Sequence, residues 1–394
     1  MKPSLLIVAF GACRPLSPRG ERALAVSEAA ARIARTELVC PGRAQLARRS
    51  LRRFTRVASP LMLDAWEPEA WSTMRRRQER PDGALLIGFP FSAVYWAARR
   101  LAREGVPYVV DLGDPWALTL PAGERPPMGR LRASGCERFV WHHAAAGVVT
   151  TQLQADALQQ VVGDLPLTVR PNGYRQVPPA PRPSAHPPRS RSRTLRLVHY
   201  GNLYGSRLDI VPLITSLARS GEWDSVVLTQ QGEDWTGALR SAPPAVRVDV
   251  TRPEPWEDVV EAATQHDLAI VVGNRNPAQL PSKAVQYLTL PIPRLAVVGE
   301  HPADALSDYV GGKPGWLTLP GGAPPDVAAR AVAAHVRRPW GPEDLLPPAQ
   351  ECWDEVAAML VDVLLRHTAG AVPSAPSADT LSHPVAAVGG SRPS

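Results

Sequence analysis

The segment with the clearest chemistry runs from Leu280 to Gly299, LPSKAVQYLTLPIPRLAVVG. We predict a short helix followed by a buried strand, with Pro281 at the helix start, where its missing N–H costs nothing. Ser282 and Lys283 then stand in the first turn, where backbone N–H groups, the helix dipole and the ammonium favour a phosphate. Gln286, at i+3 from Lys283, shares that face. The segment predicts capture of an anionic, nucleotide-linked substrate.

Two carboxylates at the end of a predicted strand form a second candidate site. The strand in VPYVVDLGDPW leads into Asp111, Asp114 and Trp116. Either carboxylate suits a general base or a ligand for sugar hydroxyls, and Trp116 offers an apolar face for a sugar ring. A strand-ending turn capped by Asp before Pro explains the same residues without any function. Both interpretations stay open on the sequence alone.

A loop with two glycines, YGNLYGSR over Tyr200–Arg207, follows the first predicted strand of the second half. Gly201 lets the backbone approach a ligand closely, next to Asn202, and Arg207 is suited to pair with a phosphate oxygen. The loop is neither a GxGxxG fingerprint nor a Walker loop, and the first half contains neither of them. Nicotinamide-dependent and ATP-hydrolysing chemistry therefore lose support.

A metal centre is not expected. Adjacent His142 and His143 point about 100° apart on a helix, and no carboxylate or Cys cluster accompanies them. The sequence also lacks an Asp-x-Asp pair for a divalent metal on a sugar diphosphate. Phosphates are expected to be held by N–H groups, Lys and Arg. The four cysteines are far apart and form no CxxC pair, which fits a reducing compartment: Cys13, Cys40, Cys136 and Cys352.

Short apolar runs alternate with helical patterns along both halves of the chain. Strands that are apolar throughout and alternate with helices indicate a parallel sheet covered on both faces. In the first half, strands are predicted at Leu5–Phe10, Glu37–Cys40, Ala84–Phe89, Tyr108–Leu112 and Gly147–Thr150. In the second half, they are predicted at Leu195–Tyr200, Val226–Thr229, Val246–Val250, Leu268–Val272 and Ile292–Val298. The expected fold class is α/β, with two doubly wound Rossmann-like domains facing a cleft.

The predicted organisation has two domains and three smaller parts. Residues 1–175 form the first domain, and residues 195–345 form the second. Between them, residues 176–194 hold six prolines and four arginines, a composition that predicts a linker. A helix within 346–368 follows, and one arrangement open to it is a crossing back to the first domain. Residues 369–394 show no periodicity and are predicted to be disordered.

The chain is basic, with a formal net charge of +7. Its arginines are scattered and not interleaved with aromatic residues, so nucleic acid is not an expected partner. The stretch Arg43–Arg56 holds six arginines; a solvated helix face is the default interpretation, and peripheral contact with an anionic membrane is the alternative. No apolar run reaches the roughly 18 residues that span a bilayer. We expect a cytoplasmic protein, with membrane association left open.

Five segments together resemble a family-4-type glycosyltransferase of the GT-B fold, and they occur in that family's order. They are VPYVVDLGDPW, WHHAAAGVVTTQLQADAL, RPNGY, LRLVHYGNLYGSRLDIVPLITSLA and LPSKAVQYLTLPIPRLAV. The resemblance covers Leu5 to about His367, and the last segment is its most specific part. It departs from the family at two positions that often carry glutamate, here Ala278 and Gln286. The loop GACRPLSPRGER also lacks the family's usual glycine pair and histidine.

The resemblance implies transfer of a sugar from a nucleotide-diphosphate-sugar donor on the second domain to an acceptor on the first. The acceptor expected is a secondary metabolite or a cell-surface glycan, and the reaction is expected to need no metal or other cofactor and to retain configuration. The implied diphosphate-binding residues are Gly201, Asn202, Arg207, Ser282 and Lys283. The implied nucleoside or sugar contacts are Gln279, Pro281 and Gln286, with Asp111 and Asp114 catalytic and Trp116 stacking. A sugar-nucleotide epimerase and a non-catalytic GT-B subunit remain the alternatives.

Overall fold

The computed structural model describes residues 2–13, 17–40, 67–76, 79–118, 129–176 and 194–368. Three predicted features lie outside the described residues, wholly or in large part. They are the arginine-rich stretch Arg43–Arg56, most of the linker at 176–194, and the tail at 369–394. The predictions about them are not tested.

The first half is a six-stranded sheet with every strand parallel, in the order β2-β1-β3-β4-β5-β6. Its strands are β1 Ser4–Val8, β2 Arg35–Val39, β3 Gly83–Ile87, β4 Tyr108–Leu112, β5 Ala146–Val149 and β6 Leu167–Val169. The described helices of this half are α1 Pro18–Ile33, α2 Glu67–Arg76, α3 Phe91–Glu104, α4 Gly129–His142 and α5 Gln152–Val162. The central strands β3, β4 and β5 are buried along their whole length, which explains why their sequences are apolar except for Asp111.

The second half repeats this architecture in the order β12-β11-β10-β7-β8-β9, again with all strands parallel. Its strands are β7 Thr194–Tyr200, β8 Ser225–Gln231, β9 Val246–Thr251, β10 Leu268–Val272, β11 Arg294–Val298 and β12 Trp316–Pro320. Its helices are α6 Val211–Arg219, α7 Trp256–Ala263, α8 Ser282–Gln286, α9 Ala305–Val310 and α10 Pro325–Arg337. The predicted α/β class with two doubly wound parallel sheets is confirmed.

The last described helix, α11 Trp353–Thr368, packs against the first half. Val356 and Leu360 of this helix share one buried core with Leu5 of β1 and Val26 of α1. The chain enters the helix beside Tyr174, because the Trp353 N–H donates to the Tyr174 carbonyl at 3.0 Å. Burial of this apolar face anchors the end of the described chain to the half from which it is most distant in sequence.

Two edge strands were not predicted from the sequence, Leu167–Val169 and Trp316–Pro320. Each lies at one edge of its sheet, and most of their residues are only partly buried. A partly exposed edge strand needs no continuous apolar run, so periodicity gives a weak signal there. The helix predicted after Pro281 is also shorter than expected: α8 has five residues, and a 3-10 turn at Tyr287–Thr289 continues it.

Candidate functional site

The strand order of the second half reverses between β7 and β10, which makes their carboxyl ends the expected ligand position. Arg207 sits at this point, since it forms an isolated antiparallel bridge with Asn274, just beyond β10. Its guanidinium donates to the Val272 carbonyl at 3.2 Å, the last residue of β10. The loop that follows β7 therefore lies beside the end of β10 and holds a cation there.

Lys283 extends across the backbone of Gly201 at the same end of the sheet. Gly201 has φ of +124°, and a Cβ placed on it would stand 3.0 Å from the Lys283 Cε. The backbone conformation disfavours a side chain at this position, and the Lys283 side chain would have to shift by a few tenths of an ångström to admit one. The Lys283 ammonium donates to the Gln286 Oε1 at 2.9 Å and lies 5.5 Å from the centre of the Trp256 ring. Lys283, Gln286 and Gly201 thus lie together at the end of the sheet where Arg207 is also held.

The electrostatics of this pocket favour an anion. Burial lowers the pKa of Lys283 to about 8, Glu21 opposes that shift, and Arg207 reinforces it. Burial likewise lowers the pKa of Arg207. Within the described part of the chain, no carboxylate forms a salt bridge with Lys283 or Arg207. Two partly desolvated cations without carboxylate partners are suited to a diphosphate.

A buried polar pair on β7 and β8 holds the backbone of the pocket in place, and it was not predicted from the sequence. His199 on β7 and Gln230 on β8 are joined at 2.9 Å between Nδ1 and Oε1. The Gln230 amide also donates to the Gly201 carbonyl at 2.6 Å, so it fixes the loop that Lys283 crosses. Burial lowers the pKa of His199 to about 4. The sequence signal that could have revealed this pair is the presence of polar residues, His199 and Gln230, in strands that are otherwise largely apolar.

The start of α8 differs from the prediction. Pro281 is the residue before the helix and carries no capping hydrogen bond, and Ser282 is the first helical residue. Because the α-helical part has only five residues, its dipole adds little, and the charges of Lys283 and Arg207 carry the attraction for an anion. The turn is held against β7, since the Tyr200 N–H donates to the Tyr287 hydroxyl at 2.7 Å.

Asn202 does not turn its amide towards a ligand. Its Oδ1 accepts from the Glu233 N–H at 2.8 Å, and its Nδ2 donates to the Tyr204 hydroxyl at 2.9 Å. The side chain therefore ties the loop after β7 to the loop after β8. This geometry disfavours the predicted side-chain contact with the diphosphate and favours a structural role.

Gln279 and Asp114 meet across the two halves rather than around a nucleoside. The Gln279 Nε2 donates to the Asp114 Oδ1 at 2.7 Å, and Arg19 forms an ion pair with the other carboxylate oxygen. The Thr151 hydroxyl adds a second link, donating to the Ala278 carbonyl at 2.8 Å. These contacts bring the carboxyl ends of the two sheets face to face. They also occupy both Asp114 oxygens, which disfavours the predicted role as a general base.

Asp111 lies below the cleft surface, with a relative exposure of 1%. Arg22 holds it in a two-pronged ion pair, with Nε 2.6 Å from Oδ2 and Nη2 2.9 Å from Oδ1. Arg22 also donates to the Pro171 carbonyl at 3.0 Å, so the pair joins α1, β4 and the turn that ends the first half. The geometry therefore disfavours the predicted catalytic role, because a buried, doubly bonded carboxylate has no access to substrate.

Trp116 likewise serves packing rather than sugar stacking. Its exposure is 5%, and its ring lies parallel to that of Phe91 with centroids 4.8 Å apart. The prediction of a sugar platform is therefore disfavoured, because the Trp116 ring is buried and one of its faces is covered by Phe91. No local pattern in the sequence indicates the contact between Trp116 and Phe91 of α3.

Glu21 is a cleft residue that the sequence analysis did not single out. Its carboxylate pairs with Arg175 at 3.0 Å and accepts from the Trp353 indole N–H at 3.4 Å. Arg175 also reaches Glu257 at the start of α7, at 3.2 Å. This chain of contacts joins α1, α7 and α11. Glu21 also acts electrostatically on Lys283, which places a first-half carboxylate near the cation pocket.

No group of three or more His, Cys, Asp and Glu side chains within the described residues is arranged to hold a metal ion. Among the helices that the structure describes, none is long and apolar enough to cross a membrane.

Comparison with known proteins gives structural relatives only. No protein-family model matches the sequence, and no curated protein matches it either. Sucrose-phosphate synthase from Thermosynechococcus elongatus is similar with a TM-score of 0.62 and 12% identity, over 93% of this chain and 100% of that one. Anabaena HepE in complex with UDP is similar with a TM-score of 0.58 and 13% identity, over 93% and 100%.

A Listeria monocytogenes protein assigned as a UDP-N-acetylglucosamine 2-epimerase is also similar, with a TM-score of 0.57 and 10% identity. That match covers 95% of this chain and 99% of the other. At such identities the comparisons establish architecture over nearly the whole length and leave the activity open. The chain therefore has the GT-B fold, two parallel doubly wound sheets whose carboxyl ends face each other across a cleft.

Proposed function

We propose that this protein transfers a glycosyl group from a UDP-sugar to the hydroxyl of an acceptor, without a metal and with retention of configuration. The observation that carries the proposal is the cation pocket of Lys283, Arg207 and Gly201 at the carboxyl ends of β7 and β10. UDP is the nucleotide proposed because proteins of the same fold were solved with it, HepE among them.

The pocket accounts for the donor half of the reaction. As the bond between the anomeric carbon and the diphosphate breaks, negative charge grows on the leaving phosphate oxygens. Lys283 and Arg207 provide positive charge in a partly desolvated place, where it acts more strongly than in water. Gly201 allows the backbone to approach the phosphates because it carries no Cβ. Gln286 positions the Lys283 ammonium through its 2.9 Å hydrogen bond.

Epimerisation of a UDP-sugar is the second candidate, because the fold also occurs in a protein assigned to that reaction. Proton transfer at a sugar carbon calls for accessible carboxylates in the cleft. Asp111 is sealed by Arg22, and both Asp114 oxygens are bonded. The carboxylate pair that favoured epimerisation in the sequence is thus committed to structure, which supports glycosyl transfer as the first proposal.

The experiment is incubation of the protein with a panel of UDP-sugars and mixed acceptors, following both UDP release and the identity of the remaining nucleotide sugar. Transfer predicts acceptor-dependent release of UDP that is lost in Lys283→Ala. The matched control is Arg219→Ala, an exposed cation at the end of α6, on the far side of the sheet. A change of sugar without UDP release would support epimerisation, and no turnover with any donor would favour the non-catalytic alternative.

A further inference from the structure

Three exposed aromatic side chains stand on loops that leave the carboxyl ends of strands. Phe89 follows β3 and is 39% exposed, Tyr204 follows β7 and is 45% exposed, and Trp235 follows β8 and is 69% exposed. Loops at this end of each sheet border the cleft. We refer to these three residues as the cleft aromatics. Exposed aromatic rings that border a cleft offer apolar faces on which a ligand can stack.

Two of the cleft aromatics are neighbours on paired loops. Leu203 and Asp234 form a parallel bridge, and the Trp235 N–H donates to the Leu203 carbonyl at 3.0 Å. Leu203 itself is buried. Because successive side chains of extended segments point to opposite faces, the residues that follow, Tyr204 and Trp235, both point away from the core.

The third aromatic, Phe89, belongs to the first half and lies against Arg19. The Arg19 guanidinium lies over the Phe89 ring, 4.8 Å from its centre. Burial lowers the pKa values of Arg19 and Arg207, and Tyr204 opposes the shift in both. Tyr204 is therefore within electrostatic reach of the first-half cation beside Phe89 and of the cation in the donor pocket.

The polar groups beside these rings are already bonded to one another. Arg19 pairs with Asp114, and Gln279 donates to the same carboxylate. The Asn202 amide is shared between the Tyr204 hydroxyl and the Glu233 N–H. A sugar acceptor would need polar groups to receive its many hydroxyls, because buried polar groups without partners are costly. Beside these bonded polar groups, of which Arg19 keeps a side-chain exposure of 45%, this part of the cleft exposes ring surface.

We infer that the cleft aromatics bind the acceptor, and that this acceptor is a planar aromatic compound carrying a hydroxyl group. The inference rests on the proposed glycosyl transfer and specifies its acceptor class. The hydroxyl oxygen forms a bond to the anomeric carbon, the bond from that carbon to the diphosphate oxygen breaks, and its electron pair leaves with UDP. The hydroxyl proton passes to the leaving diphosphate, so atoms and charge balance.

The test measures binding of umbelliferone, a planar fluorescent phenol, by equilibrium dialysis in the presence of saturating UDP. Phe89→Ala and Trp235→Ala are each expected to weaken umbelliferone binding about fivefold, because each loses one aromatic stacking contact. Val327→Ala, on the outer helix α10 and 45% exposed, is the matched control and is expected to leave binding unchanged. Naphthol is expected to displace the probe, and maltose is not.

Calorimetric titration of UDP on the same samples separates this inference from the proposed function and shows that each variant is folded. A wild-type protein that binds UDP but not umbelliferone would overturn the acceptor inference alone. Displacement by maltose but not by naphthol would overturn it as well, as would unchanged probe binding in both aromatic variants. Absence of UDP binding in the wild-type protein would instead contradict the proposed function.

Discussion

At the scale of single residues, the site is defined by which charges have partners. Lys283 is partly desolvated and lies near Arg207, whereas Asp111 is neutralised by a buried guanidinium. The charge of Lys283 is therefore available to a ligand, whereas the charge of Asp111 stabilises the fold through its ion pair with Arg22. In the sequence, both Lys283 and Asp111 are candidates for a functional role. Only the groups that surround them in the structure distinguish a residue available to a ligand from one that holds the fold.

The pKa of about 8 at Lys283 predicts a pH-dependent affinity for UDP. The protonated ammonium is the form that binds the diphosphate, so affinity is expected to hold near pH 7 and to weaken as pH rises through 8. Above that pH, the affinity for UDP is expected to fall by nearly tenfold for each pH unit, down to the affinity that the remaining cation, Arg207, supports. Calorimetric titration between about pH 7 and 9.5 measures it, with Lys283→Met as the reference. Parallel profiles for the two proteins would refute this assignment of the titrating group.

Asp111 is predicted to matter for stability. Asp111→Asn leaves Arg22 buried beside a neutral partner, so the free energy of unfolding is expected to fall by about 3 kcal/mol. Denaturant unfolding measures the change. Asp249→Asn is the control, because its ion pair with Arg247 is solvent-exposed and is expected to contribute under about 1 kcal/mol. Equal effects of the two substitutions would contradict the structural role assigned to Asp111.

At the scale of elements, the loop between β7 and α6 shapes the pocket. Its backbone is fixed by Gln230 below and by Asn202 at the side, and Lys283 crosses it at Gly201. The loop includes a second glycine, Gly205, around which the structure leaves space. The two glycines therefore differ in what they require, although the sequence presents them alike.

Substitution of these two glycines is predicted to separate their roles. Gly201→Ala introduces a Cβ against the Lys283 Cε and a strained φ, so UDP affinity is expected to fall at least tenfold. Gly205→Ala meets no atom within 4 Å and is expected to leave affinity within about twofold. Direct titration with UDP compares them. If Gly205→Ala proved the more damaging, the proposed path of Lys283 over the loop would be wrong.

The elements themselves were largely predictable, and their long-range partners were not. Buried strands such as Gly83–Ile87 are apolar throughout, and the Lys283–Gln286 contact follows from helical spacing. By contrast, Arg22 and Asp111 are 89 positions apart, and Asp114 and Gln279 are 165 apart. Such pairs depend on how separate elements pack, so no local sequence pattern encodes them. The structural roles of Asp111 and Asp114 therefore could not be predicted from the sequence.

At the scale of the whole molecule, the two halves are linked at several points around the cleft. Asp114 meets Gln279, Thr151 meets Ala278, and Arg175 joins Glu21 to Glu257. Helix α11 adds an apolar anchor on the first half. The cation pocket of the second half is therefore exposed to the charges of the first half, Glu21 in particular.

This coupling predicts that a first-half substitution will shift the titration of a second-half residue. Glu21 raises the pKa of Lys283 against the effect of burial, so Glu21→Gln is expected to move the midpoint of the UDP affinity profile to lower pH. Glu257→Gln removes the other partner of Arg175 and serves as the control, with its midpoint expected to stay at the wild-type value. A shift in the control alone would contradict the assigned coupling.

The most direct measurement of the central claim is calorimetric titration of UDP into wild-type protein and Lys283→Met near pH 7, with Arg219→Ala beside them. The wild-type protein and Arg219→Ala are expected to bind UDP alike, whereas Lys283→Met is expected to bind it at least tenfold more weakly, because it loses the charge next to Gly201. Failure of the wild-type protein to bind UDP, or equal affinity in Lys283→Met, would contradict the claim that this pocket holds a nucleotide diphosphate.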